Sequence, residues 1–166
     1  ARIPLDAVQA GLGVFEPGKG RSRVFDVEIA GRKLTLVDDS YNANPDSVRA
    51  AIDLLSNLPG PRLLVLGDMG EVGDQGPQLH AEVGGHARNV VINHLYAAGA
   101  LSVHACQAFP GARHFTDQAA LIQAVLHDLP LCRSVLIKGS RFMGMERVVQ
   151  AIEQFAAMSG EVGHAA

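Results

Sequence analysis

The sequence predicts a doubly wound α/β domain with a mostly parallel sheet and a leading β-hairpin, and three patterns predict it. Short apolar runs bounded by turn residues recur along the chain, as at residues 63–66 and 135–137, without the polar alternation of a strand that has one wet face. Segments with apolar residues at helical spacing lie between them. Ahead of both, Arg23–Ile29 and residues 33–37 alternate polar and apolar side chains around Ala30-Gly31, the pattern of two antiparallel strands joined by a tight turn. Strand and helix signals in this order describe a Rossmann-like sheet covered on both faces.

Residues 3–13 read as a short helix: Pro4 suits a first turn, Leu5, Val8 and Leu12 form one stripe, and Gly13 ends it. Pro17-Gly18-Lys19-Gly20 is a connector. Residues 1–20 are therefore expected to be the tail of a preceding domain, residues 21–158 the domain proper, and residues 159–166 a frayed end. After the hairpin runs into Asp38-Asp39, Asn44 caps a helix that Pro45 opens, with Val48, Ala51, Ile52, Leu55 and Leu58 on its apolar face and Pro59-Gly60 as its stop. Residues 62–66 are a buried strand ending in the glycine-rich loop Gly67-Asp68-Met69-Gly70-Glu71, and a helix starts near Pro77. Strands at residues 95–98, Arg113–Phe115 and Ser134–Lys138 alternate with helices at about 100–108, 118–129 and 143–158. Between them, the His-rich stretch from Gly85 to His94 departs from the expected helical pattern, with Val90-Val91-Ile92 shifting a helix or strand boundary, and no internal repeat is present.

At 166 residues, with 48% apolar and 19% charged side chains, the chain has the size and balance of one globular domain. A formal net charge of −3 with interspersed signs supplies no basic stripe for nucleic-acid phosphates. The apolar runs fall far short of the ~20 residues that span a bilayer, and the N-terminus lacks a signal layout, so a cytoplasmic location is expected. The two cysteines and seven histidines show no metal spacing; reduced thiols and no protein metal site are expected.

In an open parallel sheet, ligands bind beyond the carboxyl ends of the strands, and three polar clusters fall there. The first is Asp38-Asp39-Ser40-Tyr41-Asn42-Ala43-Asn44-Pro45. Asp, Asn and Pro make ordinary turns, yet two carboxylates, a tyrosine and two asparagines in one loop suit ribose hydroxyls, a magnesium ion or a stacked base. The second is the loop from Gly67 to Glu71, whose bland reading is a mobile glycine turn with Asp68 capping nothing. The third is Lys138-Gly139-Ser140-Arg141, which reads either as a solvated strand end followed by a serine cap or as an anion site. A Gly-x-x-x-x-Gly-Lys-Ser/Thr phosphate loop and a Gly-x-Gly-x-x-Gly turn are both missing from these 166 residues, so a triphosphate would be gripped elsewhere.

Asp38-Asp39-Ser40-Tyr41-Asn42-Ala43-Asn44-Pro45-Asp46-Ser47, Leu66-Gly67-Asp68-Met69-Gly70-Glu71-Val72-Gly73 with His80 following, and Lys138-Gly139-Ser140-Arg141 leading to Met145-Glu146 resemble, in order and spacing, the C-terminal domain of the Mur ligases. The resemblance covers nearly the whole chain, with residues 1 to about 16 similar to the end of the family's central ATPase domain. The Asp-Asp-Ser-Tyr-Asn-Ala-Asn string resembles the member that joins D-alanyl-D-alanine to UDP-N-acetylmuramoyl-tripeptide in peptidoglycan synthesis. The resemblance implies ATP and Mg2+ as cofactors, an acyl phosphate intermediate attacked by the dipeptide amine, and missing N-terminal and central domains that hold the uridine group, the phosphate loop and most magnesium ligands. It implies that Arg21, Asp38, Asp39, Tyr41 and Asn42 meet the nucleotide, and that Asn44, Lys138, Ser140 and Arg141 meet the dipeptide or acyl acceptor. By itself the chain is then expected to be inactive. Two other readings remain open from the residues: a phospho-accepting receiver domain, which Asp38-Asp39, Asp68 and Lys138 fit loosely, and a stand-alone nucleotide-binding module.

Overall fold

The computed structural model describes residue 20 and residues 22–162. The helix expected at 3–13, most of the connector and Arg21 lie outside the described residues. Strands β1 (Arg23–Ile29) and β2 (Arg32–Asp39) form the antiparallel hairpin, with Arg23 opposite Asp38 and Ile29 opposite Arg32. The other strands are β3 (Arg62–Gly67), β4 (His94–Ala98), β5 (Arg113–Phe115) and β6 (Ser134–Lys138), and they extend the sheet in the order β1-β2-β6-β3-β4-β5 with every pairing after the hairpin parallel. Strand β6 sits between β2 and β3, all five of its residues are buried, and its unbroken apolar run follows from burial on both faces.

Helices α1 (Pro45–Ser56), α2 (Gly76–Asn89) and α3 (Val103–Gln107) carry the chain outward from β2 to β5. They cover one face, where Val48, Ile52, Leu55, Val83 and Ala105 pack on Val37, Leu64, Leu66 and Leu136. Helix α4 (Gln118–Asp128) returns the chain across the other face to the middle of the sheet, and α5 (Glu146–Val162) completes that layer. There Leu121, Val125, Val148 and Ile152 pack on Leu36, Leu63, Val65, Val135 and Ile137. Adjacent strand residues thus feed opposite cores, as the two-residue period of a strand requires. The Rossmann-like expectation holds, and the direction of winding changes at β6.

Local chemistry sets the boundaries. Asn44 closes a capping box on α1: its side chain accepts from the Ser47 amide at 2.8 Å while the Ser47 hydroxyl accepts from the Asn44 amide at 3.1 Å. Helix α2 begins one residue before Pro77, after a 3-10 turn over Gly73–Gln75. It runs to Asn89, so residues 85–89 are helical after all, and the chain then reverses at Val91, whose φ of 60 ends the helix there. Helix α3 is shorter than expected because the turn over residues 100–102, entered from Gly99 at φ 135, takes its first residues. Arg141–Met143 form a 3-10 turn closed by left-handed Gly144, so α5 starts at Glu146 rather than 143. Helix α5 continues to Val162, and the Ser159 hydroxyl donates to the Phe155 carbonyl at 2.8 Å.

The tightest approach between elements is at Gly84, where a Cβ would stand 2.1 Å from the Ala105 carbonyl oxygen and force α2 away from α3. Its neighbour Gly85, also inside α2, has nothing within 4 Å of the same position. The pair makes a matched test by urea denaturation: Gly84→Ala is expected to cost about 2 kcal/mol or more through overpacking against backbone, whereas Gly85→Ala is expected to stabilise by about 0.5–1 kcal/mol through helix propensity.

Candidate functional site

The carboxyl ends of β2, β6 and β3 lie side by side, and the three polar clusters leave the sheet there. Because successive residues of β2 point to opposite faces, its two terminal carboxylates part company. Asp39 faces the α1 side, where it meets Lys138 from the end of β6. The Lys138 side chain is only 2% exposed, and its ammonium donates to the Asp39 carboxylate and, at 3.0 Å, to the Asn42 carbonyl. Asp39 also accepts from the Ser22 amide at 2.9 Å and the Ser22 hydroxyl at 3.1 Å. A solvated strand end is therefore the wrong description of Lys138. A buried ammonium requires a counter-charge, and the central position of β6 supplies the burial.

Asp38 faces the α5 side and is committed to backbone. Its carboxylate, 5% exposed, accepts from the Gly20 amide at 3.1 Å, the Ser40 amide at 3.3 Å and the Ser40 hydroxyl at 2.6 Å. The Gly20 carbonyl in turn accepts from the Tyr41 amide at 2.8 Å. Gly20 is required there: at φ +78 its missing Cβ would stand 3.1 Å from the Tyr41 amide nitrogen. Asn42 and Asn44 are exposed, and each uses its side-chain oxygen locally, toward the Ala43 amide at 2.9 Å and the Ser47 amide.

The other two clusters interlock. Asp68, 6% exposed, accepts from the Ser102 amide at 2.7 Å and from the Leu101 amide at 3.1 Å, so it caps the turn into α3. The expectation that it caps nothing is corrected: Gly99 leaves room for the carboxylate, whose oxygen would lie 2.2 Å from a Cβ there. Ser140 is buried and makes no side-chain cap to the turn that follows it, contrary to the bland reading. Its hydroxyl donates to the Ala43 carbonyl at 3.2 Å and accepts from the Gly70 amide, while its own amide donates to the Asp68 carbonyl at 2.9 Å. Arg141 is exposed, with its guanidinium 5.5 Å from the centroid of the exposed Tyr41 ring, and Phe142 beside it is 71% exposed.

Two clefts open on this rim, one on each side of Tyr41. The first, about 460 Å³, is lined by Asp39, Tyr41, Asn42, Asn44 and Lys138, with Leu54 as an apolar wall. The second, about 450 Å³, is lined by Asp38, Tyr41, Arg141, Glu146 and Gln150, and the Arg23–Glu153 ion pair of 2.7 Å borders it. The structure thus brings Asp39, Asn42, Asn44 and Lys138 together in one cleft and Asp38 with Arg141 in the other. Tyr41 is shared, and Ser140 lines neither, being buried and holding loops. Among the described residues no group of three or more His, Cys, Asp or Glu side chains is arranged to hold a metal ion, and the Asp38 and Asp39 carboxylates already have partners. These residues do not fit a magnesium site of their own.

Sequence reasoning quoted His80 only as a motif position and missed what it does. It is fully buried on the inward stripe of α2 with Val83, Gly84 and Ala87, its ring held between the Met69 amide at 2.9 Å and the Gly76 carbonyl at 2.7 Å. A histidine on an apolar stripe just after a glycine loop was the signal available. Ser22 was passed over and Glu146, like His80, was quoted only as a motif position, since only the folded chain brings them to the rim.

Residues 20–141 match the family described as Mur ligase, glutamate ligase domain. Over 153 residues the chain is 39% identical to UDP-N-acetylmuramoyl-tripeptide--D-alanyl-D-alanine ligase of Escherichia coli strain K12, covering 90% of this chain and 33% of that enzyme. The enzyme of the same description from Haemophilus influenzae is 35% identical over 155 residues, covering 90% and 33%. MurF from Acinetobacter baumannii shares the fold with a TM-score of 0.79 at 29% identity, over 92% of this chain and 34% of that one. The chain spans about a third of the length of the relatives it matches. A family match over residues 20–141, joined to this fold and this rim, establishes that the chain belongs to the Mur ligase family.

Proposed function

We propose that this chain is the C-terminal part of an ATP-dependent ligase that joins D-alanyl-D-alanine to the peptide carboxylate of UDP-N-acetylmuramoyl-tripeptide in the cytoplasm. The observation that carries the reading is the rim itself. An aromatic ring divides two polar clefts, with an exposed guanidinium over it, and neither cleft is supplied with a phosphate-gripping loop among the described residues. Such a surface suits half of a site that another domain completes. The relatives' names supply the substrates.

In this reading the γ-phosphate of ATP passes to the tripeptide carboxylate, giving an acyl phosphate and ADP; the dipeptide amine then attacks the acyl carbon and phosphate leaves. The rim contributes position and dryness rather than a proton donor or nucleophile. Tyr41 offers a face to the base, Asp39 and Asn42 border the ribose side, and Arg21 is assigned to the ribose by its resemblance alone. Arg141, in the second cleft, faces the incoming dipeptide and suits its carboxylate, and Asn44 is assigned to the dipeptide by the resemblance alone. Asp38, Lys138 and Ser140 act through backbone: they hold the loops on which the contacting groups stand. Magnesium and the triphosphate are assigned to the remaining domains, and closure of those domains over the rim excludes water from the acyl phosphate.

The pure chain is expected to show no ATPase or ligase turnover, and to gain it when joined to the family's preceding domains; turnover by the chain alone would overturn the proposal. Tight nucleotide binding by the chain alone would favour a self-sufficient binding module instead. In the joined protein, Tyr41→Ala is expected to raise KM for ATP about tenfold and Arg141→Ala to raise KM for the dipeptide by about tenfold or more, each corresponding to a contact of about 1.4 kcal/mol or greater. Steady-state kinetics with each substrate varied in turn checks both. Asp39→Asn leaves the Lys138 ammonium buried without a counter-charge, and urea denaturation is expected to show a loss of about 3 kcal/mol.

A further inference from the structure

We infer that His80, in its neutral Nδ1–H tautomer, is the positioning residue that seats the glycine-rich loop at residues 68–71 and, through it, the dipeptide side of the rim. The two backbone partners dictate the tautomer. A nitrogen that accepts from the Met69 amide carries no proton, so Nε2 is bare and the ring proton resides on Nδ1, which donates to the Gly76 carbonyl. Met69 anchors the loop further, its side chain being 1% exposed. The next amide in the chain, that of Gly70, donates to the Ser140 hydroxyl, and the Ser140 hydroxyl donates to the Ala43 carbonyl. One run of hydrogen bonds therefore passes from α2 through the loops after β3 and β6 to the loop after β2.

Any buried histidine fills space, but only one with a bare Nε2 can hold this loop. A second proton would set an N–H against the Met69 N–H, and either the amide or the ring would have to move. The charged and titratable groups that face the ring are Asp68 on the loop and His104 on α3. Burial lowers the His80 pKa from its ordinary 6.5 and His104 lowers it further, while the Gly76 carbonyl and Asp68 oppose that shift. With the folded pKa below the unfolded one, the unfolded chain binds more protons. His80's contribution is thus complete above pH 6.5 and is lost as pH falls through the lower folded value.

The loop-seating role stands on the chain alone, whereas its bearing on catalysis rests on the ligase reading, so the two are tested apart. By nitrogen-15 NMR of the chain, His80 is expected as the Nδ1–H tautomer at neutral pH. Its titration on acidification is expected to move the Met69, Gly70 and Ser140 amide signals together. His80→Asn keeps a donor for Gly76 but no acceptor for Met69, and is expected to reduce hydrogen-exchange protection of the Met69 amide about tenfold or more. His80→Gln, which reaches Met69 with its side-chain oxygen, is expected to restore protection and remove its pH dependence. An Nε2–H tautomer, a titration that leaves Met69 and Gly70 unmoved, or full protection of Met69 in the Asn variant would each overturn the inference. In the joined ligase, His80→Asn is expected to raise KM for the dipeptide more than KM for ATP, with rescue by Gln. Equal effects on both substrates, with the NMR results intact, would confine His80 to loop seating and remove its role on the dipeptide side.

Discussion

An ammonium group that is almost wholly buried at the end of the central strand must be neutralised, and much of the rim is arranged around that requirement. Lys138 stands where β6 emerges between β2 and β3, and it finds its counter-charge across on β2, at Asp39. Once Asp39 is drawn to that side, strand geometry turns Asp38 to the other, where the incoming chain at Gly20 takes it up. The ion pair thus decides which carboxylate borders which cleft. Its worth lies in that placement more than in net stability, because desolvating two charges offsets most of their attraction.

The remaining loops are held by side chains that satisfy backbone groups. Asp68 caps the turn into α3, Ser140 bridges the loops after β2 and β3, and His80 fastens Met69 to α2. Loops at the end of a sheet carry amides and carbonyls that no ladder can pair, and each one left buried without a partner costs about 1–3 kcal/mol. Buried polar residues solve that problem, and in solving it they leave Tyr41, Asn42, Asn44 and Arg141 at the surface. Residues quoted together in one motif therefore divide into those that build the rim and those that face outward from it.

Most of the fold was legible because its signals are local. The alternation of residues 23–29, the Asn44-Pro45 start of α1 and the continuous apolar runs of β3 and β6 each report a period or a cap that the chain carries by itself. The late starts of α3 and α5 share one cause: positive φ at Gly99 and Gly144, where the chain turns for tertiary reasons and delays a helix that periodicity alone would have begun earlier.

At the site, residue types and their order along the chain were enough to place three polar clusters on one edge and to suggest the family to which they belong. What residue order could not convey was which side chains point into solvent. Lys138 could be read as a solvated strand end and Ser140 as a helix cap, and both are buried; Asp68 could be read as idle and caps a turn 33 residues away; His80 was only a motif position until Met69 folded onto it. Composition and spacing determined the fold class and the rim's location, since both follow from local periodicity and from the polarity of parallel strands. The division of labour among the rim residues was decided by tertiary structure alone, because a polar side chain's role depends on which distant backbone groups the fold brings within hydrogen-bonding distance of it.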